Sequence, residues 1–222
     1  MAKKRLGLVI DLDRCIGCWT CAVNCKVENN VSLGNWWNRI LSPGAEVYGM
    51  ATSPRGEPEQ TFMPFQCQHC ANPPCVRSCP VGATYQREDG IVMQDDDKCI
   101  GCRTCMAACP YHLKVFNFTT PHQIPSWNDD HVGNAAVPSR VRHVVEKCSL
   151  CVERVDSGIE PACVLGCPAK ARFFGDLNDL ESEVSRLISE RSGYQYKPEF
   201  GTDPSTYYLP KRRKRPLTPA GI

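Results

Sequence analysis

The chain has 222 residues, enough for one or two domains, and its formal net charge of +2 gives no support to nucleic-acid binding. Its hydrophobic fraction is 42%, but 16 of these residues are cysteines, so few apolar side chains remain to build a core. Together with 18 prolines and 16 glycines, this composition predicts a loop-rich protein that depends on cysteine chemistry for its stability.

The N-terminal segment shows no recognisable export signal. Lys3, Lys4 and Arg5 resemble the charged start of a signal peptide, but the apolar run after them ends at Asp11 and no twin-arginine pair lies nearby. No stretch of the sequence approaches the ~18 consecutive apolar residues that a membrane-spanning helix needs. We therefore expect this chain to have no membrane span of its own.

Several short segments predict β-strands beside the cysteines. Residues 7–13 (GLVIDLD) lead into the first cysteines, and residues 91–94 (IVMQ) precede Cys99. Residues 115–118 are expected to return beside residues 91–94, and residues 172–175 (RFFG) follow the last cysteine. Short helices are expected after the third cysteine of each group, and together with these strands they predict two small α+β ferredoxin-like units.

The longer segments between and after the cysteines differ in character. Residues 30–61 and 119–140 contain prolines and tryptophans, which predicts irregular loops whose tryptophans either pack beneath the loops or dock on a partner. Residues 179–191 predict the one clear helix, because apolar residues recur on one helical face. The basic run at residues 211–215 is either a solvated tail or a strap onto an acidic partner or an anionic lipid.

The cysteines fall into four groups of four, with none left over. Each group begins with C-x2-C and ends with C-x3-C, and the groups that begin at Cys15 and Cys99 have the complete run C-x2-C-x2-C-x3-C of bacterial ferredoxins. In that run three thiolates hold one iron–sulfur cube, and the fourth reaches the neighbouring cube along a short helix. Proline follows the fourth cysteine in three groups, whereas Lys26 follows Cys25.

Three other interpretations of the cysteines are weaker. A zinc site uses two C-x2-C pairs for each ion and gives no reason for the third cysteine or for the C-x3-C-P ending. A disulfide scaffold is usually shorter than this chain, and thiols bunched this closely pair poorly with one another. Scattered structural thiols would not repeat one spacing in all four groups.

The ferredoxin rule predicts that the groups exchange their fourth cysteines in pairs. The second and third groups are neighbours in sequence, which leaves the first and fourth groups to pair with each other. We number the predicted [4Fe–4S] clusters 1 to 4, and their ligands are Cys15, Cys18, Cys21 and Cys167 (cluster 1); Cys67, Cys70, Cys75 and Cys109 (cluster 2); Cys99, Cys102, Cys105 and Cys79 (cluster 3); and Cys148, Cys151, Cys163 and Cys25 (cluster 4).

This pairing predicts an α+β fold of two ferredoxin-like bicluster units, with the second inserted in the first and with long irregular loops. The first, outer unit comprises residues 1–60 and 140–176, and the inserted second unit comprises residues 61–120. Residues 121–139 form a connecting loop, and residues 177–222 form a C-terminal helix and basic tail.

Basic residues directly precede the first cysteine in three of the four groups. These residues are Arg14, Lys98 and Lys147, whereas the second group has Gln66 in that position. A positive charge near a cluster favours the reduced form and raises its potential. The alternative is that these are solvated residues at strand ends.

The sequence offers no catalytic residues for substrate chemistry. It contains no nucleophile–base arrangement, no phosphate-binding loop and no dinucleotide fingerprint. We therefore predict a carrier of electrons rather than an enzyme by itself. Besides the electron-transfer subunit of a larger oxidoreductase in general, the alternatives are a stand-alone polyferredoxin-type carrier and the electron-transfer subunit of a hydrogenase or formate-linked complex.

Four segments together resemble a known family: IDLDRCIGCWTCAVNCKVEN, CQHCANPPCVRSCPVGATYQREDGIV, DDDKCIGCRTCMAACPY and EKCSLCVERVDSGIEPACVLGCPAKARFFGDL. They are similar to the four-cluster electron-transfer subunits of molybdopterin (dimethyl sulfoxide reductase-type) oxidoreductases, such as polysulfide, tetrathionate and arsenate reductases. The resemblance implies four [4Fe–4S] clusters, a large catalytic subunit with molybdenum or tungsten, and often a membrane-embedded quinone-reactive subunit. It implies a location at the outer face of the cytoplasmic membrane or in the periplasm, reached with a co-exported partner, or otherwise in the cytoplasm.

Overall fold

The structure, a computed structural model, describes residues 3–42, 61–121 and 132–212. Its strands are β1 (Leu6–Asp11), β2 (Asn38–Leu41), β3 (Met63–Gln66), β4 (Thr84–Gln86), β5 (Val92–Gln94), β6 (Val115–Phe116), β7 (Val145–Glu146), β8 (Arg172–Asp176), β9 (Tyr194–Gln195) and β10 (Thr206–Leu209). Its α-helices are α1 (Thr20–Glu28), α2 (Pro74–Arg77), α3 (Thr104–Ala107), α4 (Val152–Asp156), α5 (Ala162–Leu165) and α6 (Glu183–Glu190). The fold is therefore a mixed α/β arrangement of short elements.

The largest sheet has the strand order β8-β1-β10-β9. The predicted strands at residues 7–13 and 172–175 are confirmed as β1 and β8, which pair antiparallel with Ile10 opposite Arg172. On the other side β1 pairs in parallel with β10, with Val9 opposite Tyr207. Leu8, Val9 and Ile10 are all buried, as expected for a central strand that is covered on both faces.

The two faces of this sheet contact different parts of the chain. Val9 and Leu209 pack against Val184 of α6 on one face. Leu8, next to Val9 on β1, points to the opposite face and packs with Cys21 and Cys163. The sheet thus separates a small cysteine-free core under α6 from the cysteine-rich part of the molecule.

The C-terminal segment contains a strand that the sequence did not predict. We expected a helix and a tail, but β10 lies inside the main sheet between β1 and β9. The predicted helix at residues 179–191 is also too long, because α6 begins only at Glu183. Residues before it form a turn in which the Ser182 hydroxyl donates to the carbonyl of Asp176, and the same oxygen accepts from the Ser185 N–H and caps the helix.

The remaining strands form three two-stranded ladders, and none of the three is a pairing that the sequence predicted. Residues 115–118 were expected beside residues 91–94, but β6 pairs with β7. The partner of β5 is β4, which is joined to it by a tight turn that includes Gly90 at φ +86°. In addition, β2 lies in the segment 30–61, where only irregular structure was expected, and pairs with β3.

Short helices were expected after the third cysteine of each group, but the helices found there begin one residue before that cysteine and include it. Helices α2, α3 and α5 contain one turn each and end before a Cys-Pro pair. Proline in the following position disfavours helical backbone at the preceding cysteine, so the chain turns out of the site there. Cys25 is followed by Lys26 instead, and α1 accordingly continues through it to Glu28.

Some predicted segments lie outside the described residues. They are residues 43–60 and 122–131 of the two predicted loops, with Trp127, and residues 213–215 of the basic run. Among the described tryptophans, Trp37 is buried and its Nε1 donates to Glu146 Oε2 at 3.3 Å, so this side chain packs beneath the loop. Trp19 remains exposed at the surface and meets Trp36 edge to face.

No helix in residues 3–42, 61–121 or 132–212 is long and apolar enough to cross a lipid bilayer.

We expect Leu209→Ala to lower the free energy of unfolding by about 2–5 kcal/mol. Leu209 has 0% exposure and packs with Val9 and Val184, so truncation leaves a cavity next to the central strand. Leu180→Ala is the matched control, because Leu180 is 81% exposed and its truncation should cost less than about 0.5 kcal/mol. Anaerobic urea unfolding followed by far-UV circular dichroism measures both, and equal effects would contradict the packing described here.

Candidate metal centres

The structure contains three cavities that are each lined by four cysteines. In every case three cysteines come from one sequence group and the fourth comes from another group. The lining cysteines are Cys15, Cys18, Cys21 and Cys167 in the first cavity; Cys67, Cys70, Cys75 and Cys109 in the second; and Cys79, Cys99, Cys102 and Cys105 in the third. The structure therefore brings together the residues that the sequence assigned to clusters 1, 2 and 3.

The cysteines assigned to cluster 4 also lie together, in the interior. Burial raises the pKa of Cys25, and the thiols of Cys148, Cys151 and Cys163 raise it further. All four side chains are buried. The amide of Asn29 lies between two of them, with Nδ2 at 3.8 Å from the sulfur of Cys25 and 3.7 Å from that of Cys151.

A repeated backbone turn shapes all four sites. The residue directly before the second cysteine of each group has a positive φ: Gly17 (+70°), His69 (+42°), Gly101 (+68°) and Leu150 (+60°). Such a left-handed residue turns successive N–H groups toward one side of the chain, where they can face an anion. In the fourth group the N–H of Leu150 donates to the sulfur of Cys148 at 3.4 Å.

We expect Gly101→Ala to accelerate the loss of cluster absorbance in denaturant. Gly158→Ala is the control and should have a much smaller effect. Both glycines have positive φ, so alanine costs about 1–2 kcal/mol at each from backbone strain. At Gly101 an added methyl group would also collide with the carbonyl oxygen of His143, whereas at Gly158 it meets nothing within 4 Å. The rate at which the visible cluster absorbance is lost in guanidinium chloride measures the difference, and equal rates would show that the close approach has no effect.

The donor atoms of these sites suit iron–sulfur clusters. Cysteine thiolates are soft ligands that bind iron–sulfur clusters or zinc. In each of the three cavities the four cysteines line an open space. Within the described residues, no three His, Cys, Asp or Glu side chains converge on a position for a single metal ion. Backbone N–H groups of Leu150 and Ala171 donate to the sulfurs of Cys148 and Cys167, and such hydrogen bonds are usual around iron–sulfur clusters.

Burial disfavours the ionisation of these thiols when no metal is bound. It raises the pKa of Cys70 to about 12 and that of Cys75 to about 11. Because only the thiolate binds iron, each buried cysteine must release its proton when it becomes a ligand.

Two of the sites include a cysteine that is exposed at the surface, and these two sites have the same sequence motif. Cys18 and Cys102 are the two exposed cysteines of the chain, and both lie in the motif Cys-Ile-Gly-Cys-x-Thr-Cys. The hydroxyl of Thr104 donates to the sulfur of Cys102 at 3.5 Å, and the hydroxyl of Thr20 lowers the pKa of Cys18. The isoleucine of each motif, Ile16 or Ile100, is more than 60% exposed (61% and 65%).

The cysteines assigned to clusters 1 to 4 are called sets 1 to 4, and hydrophobic cores shared by cysteines of different sets connect the four sites in one row. Buried Cys21 of set 1 packs in the same core as Cys163 of set 4. Cys148 of set 4 packs with Cys67 of set 2, and Cys75 of set 2 packs with Cys105 of set 3. The order along the molecule is therefore 1, 4, 2, 3, with the exposed cysteines in the two terminal sets.

The basic residues predicted beside the cysteines lie in different environments. Arg14 and Lys98 are exposed, and they form ion pairs with Asp11 and Asp95 at 3.5 and 2.8 Å. Lys147 is buried and lines the second cavity. Sequence reasoning missed two further buried cations that line cysteine cavities, Lys114 and Arg172, because neither directly precedes a cysteine.

Comparison with known families agrees with the cysteine geometry. A profile of the 4Fe-4S dicluster domain matches residues 58–132 and 134–177, and a second 4Fe-4S dicluster profile matches residues 14–83. Together the matched ranges include all 16 cysteines. The prediction of iron–sulfur cofactors is confirmed: this chain binds several [4Fe–4S] clusters.

Among the most similar relatives is a Halobacterium salinarum protein whose name describes it as a dimethyl sulfoxide reductase iron–sulfur subunit, 52% identical over 91% of this chain and 78% of the relative. The iron–sulfur subunit of the arsenate respiratory reductase of Shewanella sp. is 38% identical over 92% of this chain and 96% of its own length. A tetrathionate reductase subunit of Salmonella typhimurium is 36% identical over 93% and 73%. This chain belongs to the family of iron–sulfur electron-transfer subunits of dimethyl sulfoxide reductase-type oxidoreductases, and it is a non-catalytic subunit.

Proposed function

We propose that this chain relays single electrons through four [4Fe–4S] clusters to or from a catalytic subunit that contains molybdopterin with molybdenum or tungsten. The observation that carries this proposal is the continuous row of four cysteine sets, which runs from exposed Cys18 to exposed Cys102. A relay needs such a row, because electrons must enter at one end and leave at the other.

The ligand assignment supports two interlocked units. Each of the four cysteine sets would hold one cluster, with three ligands from one sequence group and the fourth from its paired group. The cavity linings and the proximity of Cys25 to Cys148 favour this exchange between the first and fourth groups and between the second and third. In this arrangement the unit at residues 61–120 is inserted into the unit formed by residues 1–60 and 140–176.

The protein's own residues would bind the clusters, exclude water and stabilise their sulfurs. When bound, [4Fe–4S] clusters take up and release one electron at a time. The buried set around Cys25 and Cys148 lies in the middle of the row, where water is excluded and the amide of Asn29 faces two sulfurs. Amide and N–H donors to sulfur stabilise added negative charge and thereby adjust the reduction potential.

Basic residues near the cysteines would contribute unequally to the potentials. Of Arg14, Lys98 and Lys147, we infer that Lys147 has the largest influence, because it is buried beside the cavity of set 2. Its Nζ donates to the carbonyls of Cys148 and Val92. The charges of Arg14 and Lys98 are screened by solvent and by their carboxylate partners.

The two exposed ends provide surfaces for partners. Ile16 and Ile100 lie beside the exposed cysteines of sets 1 and 3, and an exposed apolar side chain next to a redox site suits docking of another protein. We infer that the catalytic subunit docks at one end and that a membrane quinone-reactive subunit, where the complex has one, docks at the other.

The experiment is anaerobic purification of the chain with its natural partners, followed by iron analysis and EPR-monitored redox titration. The expected result is about 16 iron atoms for each chain and four one-electron transitions. A large copurifying subunit with molybdenum or tungsten is also expected. A complete set of clusters without any such subunit would favour a stand-alone carrier, and far less iron would overturn the proposal.

A further inference from the structure

Three cationic side chains are buried among the cysteines without a carboxylate partner. Lys114, Lys147 and Arg172 are 5%, 3% and 3% exposed, and none forms an ion pair within the part of the chain that the structure describes. Burying an unpaired charge is costly, so each of these groups needs a compensating negative charge. Of the three, Arg172 has the most unusual position.

Arg172 lies where two of the cysteine sets meet. It is the first residue of β8 and lines the cavity of set 1. The guanidinium also lies close enough to Cys163 of set 4 to interact with it electrostatically. One guanidinium therefore lies beside two neighbouring cluster sites.

The hydrogen bonding of Arg172 is incomplete. Its Nη2 donates to Gln66 Oε1 at 2.9 Å, but Nε and Nη1 have no hydrogen-bond partner among the described residues. An arginine guanidinium keeps its charge in proteins even when it is buried, so Arg172 is a fixed positive charge. A buried guanidinium with two unused donors is suited to an acceptor that carries negative charge, and cluster sulfurs are such acceptors.

We propose that Arg172 is a shared counter-charge for clusters 1 and 4 and raises the reduction potentials of both. This inference rests on the proposed function, because it needs clusters at these two sites. Reduction adds one negative charge to a cluster, and a fixed positive charge in a dry, low-dielectric site stabilises that added charge. Since one group acts on both sites, their potentials rise together, and this charge changes the free-energy difference for electron transfer between them little.

Lys98 offers a matched comparison. It also lies beside a ligand, directly before Cys99 of set 3, but it is exposed and paired with Asp95 at 2.8 Å. If burial decides how strongly a cation acts on a cluster, Lys98→Gln should change no potential measurably, whereas Arg172→Gln should change two.

The test is EPR-monitored redox titration of the purified complex with Arg172→Gln, Arg172→Lys and Lys98→Gln variants. Arg172→Gln is expected to shift the one-electron reduction equilibrium of two clusters at least tenfold toward the oxidised form, which corresponds to about 59 mV each. Arg172→Lys keeps the charge and should shift them less. Unchanged potentials in Arg172→Gln with all clusters present, or equal shifts in the lysine variant, would overturn the proposal.

A second measurement covers the case in which Arg172→Gln fails to assemble. Wild-type complex labelled with 15N-arginine is reduced and studied by HYSCORE spectroscopy, which detects nitrogen nuclei close to a paramagnetic cluster. We expect a weak 15N coupling on two clusters, lost in the assembled Arg172→Lys variant, and its absence from the wild type would refute a guanidinium contact. Fewer than four clusters in the wild type would instead contradict the proposed function, so the two failures are distinguishable.

Discussion

Replacing Cys167 with alanine is expected to remove the same cluster that replacing Cys15 removes. The two residues are far apart in sequence, but both line one cavity with Cys18 and Cys21. A cubane that loses a ligand rarely persists, so each variant should lose about four iron atoms and one EPR signal, and the signal should be the same in both. Iron analysis and EPR of anaerobically reduced complexes measure this directly.

Cys25 is the matched control for this pair. It belongs to the same sequence group as Cys15, yet it lies with Cys148, Cys151 and Cys163. Cys25→Ala should therefore remove a different signal, and Cys148→Ala should remove that same one. If Cys15→Ala and Cys25→Ala abolish one common signal while Cys167→Ala abolishes another, the exchange of ligands between groups is wrong.

Removal of iron with a chelator under reducing conditions is expected to unfold most of the chain. Without clusters, the buried cations Lys114, Lys147 and Arg172 would have no compensating negative charge. An uncompensated buried charge costs about 3–5 kcal/mol, and three of them approach the whole stability of a typical domain, about 5–15 kcal/mol. The packed cores also consist partly of cysteines, which would then border empty cavities.

Hydrogen exchange followed by mass spectrometry distinguishes this outcome from simple loss of cofactor. The cysteine-free core of Val9, Val184 and Leu209 should keep protection longest, and peptides that contain the cysteine groups should lose it first. The chelator added with excess iron is the control for its direct effects. If the iron-free protein keeps native hydrogen-exchange protection throughout, the clusters bind to the fold without stabilising it.

The cysteine sites were largely predictable from sequence because the signal is local. Three ligands of each set lie within a short segment, and the spacing of C-x2-C with a glycine or another left-handed residue determines the turn. Strands β1 and β8 were also predictable, since each directly flanks a cysteine group and is rich in apolar residues.

The features that the sequence did not reveal depend on long-range contacts. Strand β10 has a strand-like composition (TYYL), but nothing local indicates that it pairs with β1 almost 200 residues earlier, as Leu8 does with Thr206. Arg172 was read only as the first residue of a strand, because its closeness to Cys163 follows from folding. The pairing of β6 with β7 was missed for the same reason, since β7 is separated from β6 by the second predicted loop.

The parallel pairing of β1 with β10 has a consequence for biosynthesis. Strand β1 leads into Cys15 and β8 follows Cys167, so the sheet closes around the site that these two cysteines share. A nascent chain cannot complete this sheet until Leu209 has left the ribosome. The sheet beside that site is therefore completed only after nearly all of the chain has emerged, and a chain that terminates before Thr206 would present β1 as an open edge to proteases and to other unpaired strands.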